Sequence, residues 1–240
     1  MLFRLLMYPL VALALTCTGL AQAQTSPAAD AAFKHLDDYL KNNALDFETS
    51  FNATSDGNEL YSGTGHFLIR RPNQLHAEIT LAGGSYLVIS DGTILTIYDT
   101  KRHKYSQTAS PPSLAAAFGF FTGELGIDSQ VLDFMGVVDN VVTGSDGAKT
   151  SASGSETIGG QQCDKFTVSG ASGDDTWLAW LEKSDKSLLC KLIYRSVDGP
   201  AQTNSFKWNP TPALTQQTFE FVPPAGSSKI DIGDLNLASP

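Results

Sequence analysis

Apolar and polar positions change rhythm several times along this chain. Between Ser26 and Asn43, Ala32, Phe33, Leu36, Tyr39 and Leu40 recur at helical spacing, with Pro27 in the first turn and Ser26 placed to cap. That predicts a helix. Beyond Asn43 the period falls to two, and "LDFETSFNAT" and "LYSGTGHFLIR" read as strands joined by a turn at Asp56-Gly57-Asn58. Arg71-Pro72-Asn73 turns the chain again into "LHAEITL", where Leu75, Ala77, Ile79 and Leu81 share one face and His76, Glu78 and Thr80 the other. "SYLVIS", "TILTIYD" and "HKYSQ" follow, the first two joined at Asp91-Gly92, a strong hairpin signal. Residues 110–137 break the rhythm: Leu114, Ala117, Phe118 and Phe121 stand at helical spacing, and a further short helix is read from Asp128 to Met135. Residues 143–155 read as a Gly/Ser-rich polar loop. Strands resume with "CDKFTVS", "TWLAWLEK", "LLCKLIYRS", "TNSFKWN" and "TFEFV". The sum is a mainly β (α+β) chain of about eleven antiparallel strands curled into an open barrel or half-barrel. An N-terminal helix precedes the sheet, and residues 110–137 form a helical insertion or lid.

The polar cluster "VISDGTILTIYDTKRHKYSQ" (88–107) resolves into hairpins, so its Asp, His, Lys and Tyr residues are spread over turns and alternate faces. No nucleophile, base and orienter converge there. His35, His66, His76 and His103 are scattered without a metal-ligand spacing, so no metal site is expected. Nucleophile-elbow, Walker A and dinucleotide-binding patterns are also missing from the sequence, and no cofactor is expected. Gly63-x-Gly65 lies inside a strand, where glycine marks a bulge or a close approach. The expectation is a protein that is not an enzyme.

Charge and the N-terminus set the compartment. A net charge of −9 argues against nucleic-acid partners. "MLFRLLMYPLVALALTCTGLAQAQ" has a basic start, a short apolar run and an Ala21-Gln22-Ala23 site, the form of a secretory signal peptide spanning 1–23. Acylation at Cys17 is the competing reading, less well fitted by Ala14-Leu15-Thr16. The remaining chain, 24–240, reads as one domain without a further apolar stretch of membrane length, hence a periplasmic and not an integral membrane protein. Cleavage leaves Cys163 and Cys190, and an exported chain with two cysteines invites one disulfide. Against that, the two begin strands with another strand between them, which sets them roughly 9.6 Å apart. A bond needs about 7 Å or less between Cα atoms, so bent or frayed ends are required, with two buried thiols as the alternative.

Several strands are apolar on both faces: "YLVI", "ILTIY", "TWLAWL" and "LLCKLIY". An antiparallel sheet of that kind needs cover on both sides. One consistent arrangement has the helices crossing the barrel mouth above an apolar cavity lined by Leu75, Ala77, Ile79, Leu81, Leu87, Ile89, Phe118, Phe121, Phe166 and Trp177. A filled core is the other.

The stretches "FLIRRPNQLHAEI" and "VISDGTILTIYD" resemble the LolA-like lipoprotein carrier superfamily at Arg70, Arg71, Pro72, Asn73, Ser90, Asp91, Gly92, Leu95 and Tyr98. The tail "FEFVPPAGSSKID" is similar at Phe221, Pro223, Pro224 and Gly226. Gly160, Cys163, Trp177 and Trp180 resemble an uncharacterised periplasmic branch of that superfamily. The resemblance implies an open barrel with a helical lid and an apolar cavity for an acyl chain, lipid or lipoprotein anchor, with a membrane-bound donor or acceptor protein as a further partner. It also implies that Arg71 turns inward and hydrogen-bonds the lid backbone, leaving Arg70 to solvent. The carrier's own lid segment is not reproduced here. A protein-interaction or envelope-stress module built on the same scaffold, without lipid cargo, is the alternative function.

Overall fold

The computed structural model describes residues 26–124, 130–170, 175–197 and 199–235. The expected leader 1–23, with Cys17, lies outside them, as do the side chains of Phe118 and Phe121. Helix α1 (Pro27–Asn42) leads into six antiparallel strands: β1 (Leu45–Ser55), β2 (Asn58–Arg70), β3 (Gln74–Leu81), β4 (Gly84–Ser90), β5 (Ile94–Asp99) and β6 (Lys104–Ala109). Helices α2 (Leu114–Glu124) and α3 (Gln130–Thr143) follow. The second half adds β7 (Lys149–Ile158), β8 (Gln161–Ser169), β9 (Asp175–Glu182), β10 (Leu189–Ser196), β11 (Ala201–Trp208) and the two-residue β12 (Ser228–Lys229).

All twelve strands join one sheet, in the order β12-β6-β5-β4-β3-β2-β1-β11-β10-β9-β8-β7. The sheet does not close, so the molecule is an open half-barrel. One edge is β7; at the other, β12 pairs in parallel with β6 at Ser228↔Lys104 and Lys229↔Tyr105. Three sequence expectations are corrected. The loop read at 143–155 is largely strand β7, whose side chains are almost all exposed and so carry no apolar alternation. The expected strand "TFEFV" is a short 3-10 turn at Gln217–Phe219 followed by unpaired chain. Its phenylalanines alternate because they pack on the sheet: Phe219 is wholly buried, and Phe221 lies against Tyr98 and Tyr105. Helix α3 also runs past Met135 to Thr143, so the helical insertion is longer than 110–137.

The inner face of the sheet carries the helices. Phe33 of α1 meets Phe166 of β8 edge-on at 5.7 Å and Phe134 of α3 at 6.3 Å. Phe134 continues to Trp177 of β9 at 5.4 Å, and Tyr39 packs on Trp208 of β11. Leu36, Leu45, Phe47, Ile69, Ile97 and Leu192 are wholly or almost wholly buried in the same core. Each fully buried side chain of this size contributes about 1.5–3 kcal/mol of transfer free energy.

Gly63 and Gly65 admit rings where a side chain would stand. A Cβ at Gly63 would lie 2.6 Å from Phe51 Cζ and 2.5 Å from the Thr80 carbonyl, and one at Gly65 would lie 2.5 Å from Phe67 Cε2. The Gly-x-Gly pair therefore lets Phe51 and Phe67 fold down over the inner face.

The outer face has a smaller cluster of Cys163, Trp180 and Cys190. The two cysteines form a disulfide with a Cα–Cα distance of 6.6 Å. A bulge resolves the spacing problem posed by the intervening strand. Leu189 pairs with Leu181 and Lys191 with Trp180, so Cys190 is an extra residue in β10, bent across β9 toward Cys163.

Candidate functional site

The turn between β2 and β3 collects the polar contacts that hold the covering segments onto the sheet. Arg70 and Arg71 end a strand, so alternation sends them to opposite faces. Arg71 turns inward, and its Nε and Nη2 both donate to the Leu40 carbonyl of α1, at 2.9 and 2.6 Å. That carbonyl is one of those a helix leaves without an internal partner in its last turn. Its neighbours are capped too: the Asn42 amide donates to Asp38 O, and the Asn43 backbone and side-chain N–H groups both donate to Tyr39 O. A cation beside these carbonyls also complements the negative end of the helix dipole. Partial burial lowers the Arg71 pKa and nearby Asp37 partly offsets this; an arginine guanidinium stays charged in either case.

The expectation that Arg71 latches the 110–137 segment is therefore corrected: it holds α1. The mid-chain helices are fastened by the two residues after it. The Pro72 carbonyl accepts from Leu114 N–H at the start of α2 (3.1 Å). The Asn73 amide donates to Pro111 O and to Gly92 O, each at 2.9 Å. Ser90 completes the knot, donating to Asn73 O and bonding Ser110 Oγ, both at 2.7 Å. Asp91 caps its own turn by accepting from Thr93 N–H and Ile94 N–H. The family resemblance pointed to Arg71 for this role. A proline carbonyl and an asparagine amide give no comparable signal in a sequence.

Arg70 is corrected as well, from a solvent residue to an outer-face clamp. It donates to Gln74 Oε1 (2.6 Å) and Gln216 Oε1 (2.8 Å), and its guanidinium lies 4.9 Å from the centre of the Phe219 ring. His76 Nδ1 meets Thr218 O at 2.8 Å in the same segment. Arg71→Leu is thus expected to loosen the last turn of α1 at a cost of about 1–2 kcal/mol, the usual range for a charged hydrogen bond reduced for partial exposure. Arg70→Leu should instead loosen 215–221. Hydrogen exchange followed by mass spectrometry reads both, and identical exchange maps for the two variants would refute the division of labour.

A second tie joins α1 to α3. Lys41 Nζ bonds Asp139 at 2.5 Å and Asp37 at 2.9 Å. The hydrogen bond from Asp139, then that from Asp37, raises the Lys41 pKa. The folded state thus holds this proton more tightly than the unfolded chain. The contribution is whole below the ordinary lysine value and is lost as pH rises past it. Relative to the base-catalysed rate of an unprotected amide, exchange in α3 should accelerate at alkaline pH in the native protein, and already at neutral pH in Lys41→Met. Equal exchange at neutral pH in the two proteins would show the bridge to be idle.

Beneath the helices, Leu75 and Ala77 are buried in the inner-face core and Ile79 is half-buried against it. Leu81 continues the row, its Cδ2 standing 2.9 Å from where a Cβ of Gly63 would be. Phe166 and Trp177 lie against Phe33 and Phe134. Leu87 and Ile89 do not join them. They pair with Glu78 and His76, opposite Ala77 and Leu75 in facing, and so lie on the outer face. Both sets of positions in β4 are apolar because the C-terminal segment covers the outer side, which hid the facing from periodicity.

The inner face is not wholly apolar. Thr49 and Asn204 lie on adjacent β1 and β11, Thr49 opposite Phe206 and Asn204 opposite Phe51. Asn204 is fully buried, and neither its Nδ2 and Oδ1 nor the buried Thr49 Oγ1 has a hydrogen-bond partner. Each such group costs about 1–3 kcal/mol when left unpaired. Among the described residues, no group of His, Cys, Asp and Glu is arranged to hold a metal ion, and no helix is long and apolar enough to cross a membrane.

A family model described as "Predicted periplasmic protein (DUF2092)" matches residues 29–233. The chain belongs to that family. The periplasm assigned to DUF2092 members is also the compartment read from the N-terminal sequence. The matched span runs from α1 to the last 3-10 turn and so takes in the whole half-barrel. No curated protein matches this DUF2092 chain in sequence. Solved structures similar to it include the Mycobacterium tuberculosis lipoprotein LppX, at 14% identity and a TM-score of 0.49, covering 80% of this chain and 100% of that one. An uncharacterized conserved protein from Thermus thermophilus aligns at 8% identity and a TM-score of 0.49, over 85% of this chain and 99% of that one. The Pseudomonas aeruginosa MucA/MucB complex aligns at 14% identity and a TM-score of 0.48, over 81% of this chain and 61% of that one.

Proposed function

We propose that this DUF2092 protein is a non-enzymatic periplasmic carrier that holds an acyl chain between the inner face of its sheet and the covering helices. The observation that carries the reading is the construction of the cover. A largely apolar inner face is roofed by α1 and α3, and the helical segments are fastened through polar bonds concentrated at one end: Arg71 to Leu40 of α1, Pro72 to Leu114 of α2, Asn73 to Pro111 ahead of α2, and Lys41 of α1 to Asp139 of α3. Such bonds open without breaking the sheet ladder, so the roof is able to part from the sheet while the strands stay paired. In the closed form Phe33 and Phe134 occupy the space an acyl chain would take. The donor or acceptor would be a membrane-bound protein that handles the same acyl group.

The test is titration of folded protein with an environment-sensitive acyl probe, followed by competition with an unlabelled acyl lipid. Saturable, competable binding is expected. Binding that is absent, or that appears only as the protein begins to unfold, overturns the carrier reading. That result would favour the second reading, an interaction module without lipid cargo, which the filled interior supports.

A further inference from the structure

We propose that Asn204, with Thr49 beside it, anchors the uncharged polar head of the acyl ligand, an ester or amide that bears a hydrogen-bond donor as well as an acceptor. The inference rests on the carrier reading above and specifies the ligand's head group.

Asn204 sits in apolar company. Across the ladder it faces Phe51 on one side and Leu192 on the other, and Phe206 and Trp208 follow it on the same face of β11. A side chain with that role in packing alone needs no polar atoms, and leucine has the same branched outline with methyl groups in place of the amide oxygen and nitrogen. The carboxamide nevertheless keeps one donor group and one acceptor enclosed and unpaired, with the unpaired Thr49 hydroxyl on the neighbouring strand. Buried polar groups are almost always satisfied, so three such atoms on one patch of the inner face call for a partner that is not part of the chain.

The chemistry of that partner follows from what surrounds the patch. A carboxamide and a hydroxyl together offer both donors and acceptors, which suits an ester with a free hydroxyl, or an amide. They do not suit an anion. Among the described residues no Lys, Arg or His is buried, and the buried carboxylate side chains, Asp37 and Asp99, are themselves acidic. A fatty-acid carboxylate brought onto this patch would lose its hydration and meet no cation. The interior therefore selects a monoacylglycerol-type head over the free acid of the same chain length.

The experiment is competition at neutral pH between an acyl probe and either 1-monooleoylglycerol or oleate, in the native protein, Asn204→Leu and Thr49→Val. A dye-labelled alkane without a polar head reports the apolar interior separately. The native protein should favour the monoacylglycerol by roughly tenfold, the effect of one to two hydrogen bonds. Asn204→Leu should weaken monoacylglycerol binding, and so reduce that preference, while leaving alkane binding unchanged, and Thr49→Val should do the same to a smaller extent. Lowering the pH until oleate is protonated should narrow the gap in the native protein and in both variants, because it relieves the desolvation of the carboxylate. An unchanged preference in both variants overturns the anchor, as does its absence in the native protein. A raised melting temperature with unaltered binding in Asn204→Leu identifies an idle amide or a buried water and overturns it too. In each of those cases the alkane still binds and the carrier reading stands. Failure of the native protein to bind even the alkane removes the carrier reading, and the anchor with it.

Discussion

Truncation of Phe33 to alanine is expected to lower the unfolding free energy by about 3–5 kcal/mol, the range for a fully buried aromatic. Phe33 is the place where three elements meet. Its ring touches Phe134 of α3 and Phe166 of β8, and it has no exposed surface. Removing it leaves a void bounded by a helix on one side and the sheet on the other. The surroundings cannot close that void without shifting α1, whose end is fixed by Arg71 and Lys41. Urea unfolding monitored by far-ultraviolet circular dichroism reads the loss directly. A change under about 1 kcal/mol, well below that range, would mean that α1 is not packed as described.

The second large effect belongs to the Cys163–Cys190 bond. It closes a loop with a sequence separation of 27 residues, and the chain-entropy relation gives about 3.5 kcal/mol for a loop of that size, within the usual 2–4 kcal/mol. The Cys163→Ala, Cys190→Ala double variant should unfold at correspondingly lower urea. Reduction of the native protein should have the same effect once thiols are blocked, because both sulfurs lie in a buried cluster with Trp180. Equal midpoints with and without the bond, or two free thiols in protein taken from the periplasm, would contradict the structure.

How far the sequence could be read depended on whether a residue's partners were local. β1 to β6 and β8 to β11 follow alternation and turn signals, which act within a few residues and were visible. β7 was invisible because an edge strand with exposed faces needs no apolar alternation: "KTSASGSETI" reads as loop until Ser151↔Thr167 and its neighbours pair it to β8. "TFEFV" failed in the opposite sense, since phenylalanines that pack on top of a sheet alternate like those within one. At the site, alternation showed that Arg70 and Arg71 oppose each other, and the resemblance pointed Arg71 inward. Neither indicated that the carbonyl awaiting it was Leu40. The facing of Leu87 and Ile89 was unreadable because β4 is covered on both sides. Asn204 was missed although alternation in "TNSFKWN" sets it on the face of Phe206 and Trp208, because nothing in a sequence marks a buried amide as unpaired.

The two margins of the open sheet differ in how they are kept from pairing with another molecule. An unpaired strand margin is a template for further strands and a route to aggregates. On one side Ser228 and Lys229 occupy the free backbone groups beside β6, so the chain's own C-terminal part acts as a stopper. On the other, β7 is irregular between Ala152 and Ser155, where Gly154 takes a φ of +117°, and its outward side chains are small or polar. The first guard is removable and the second is built in. Proteolysis before Ser228 would therefore uncover β6, take Leu235 out of the core and leave the sheet prone to self-association.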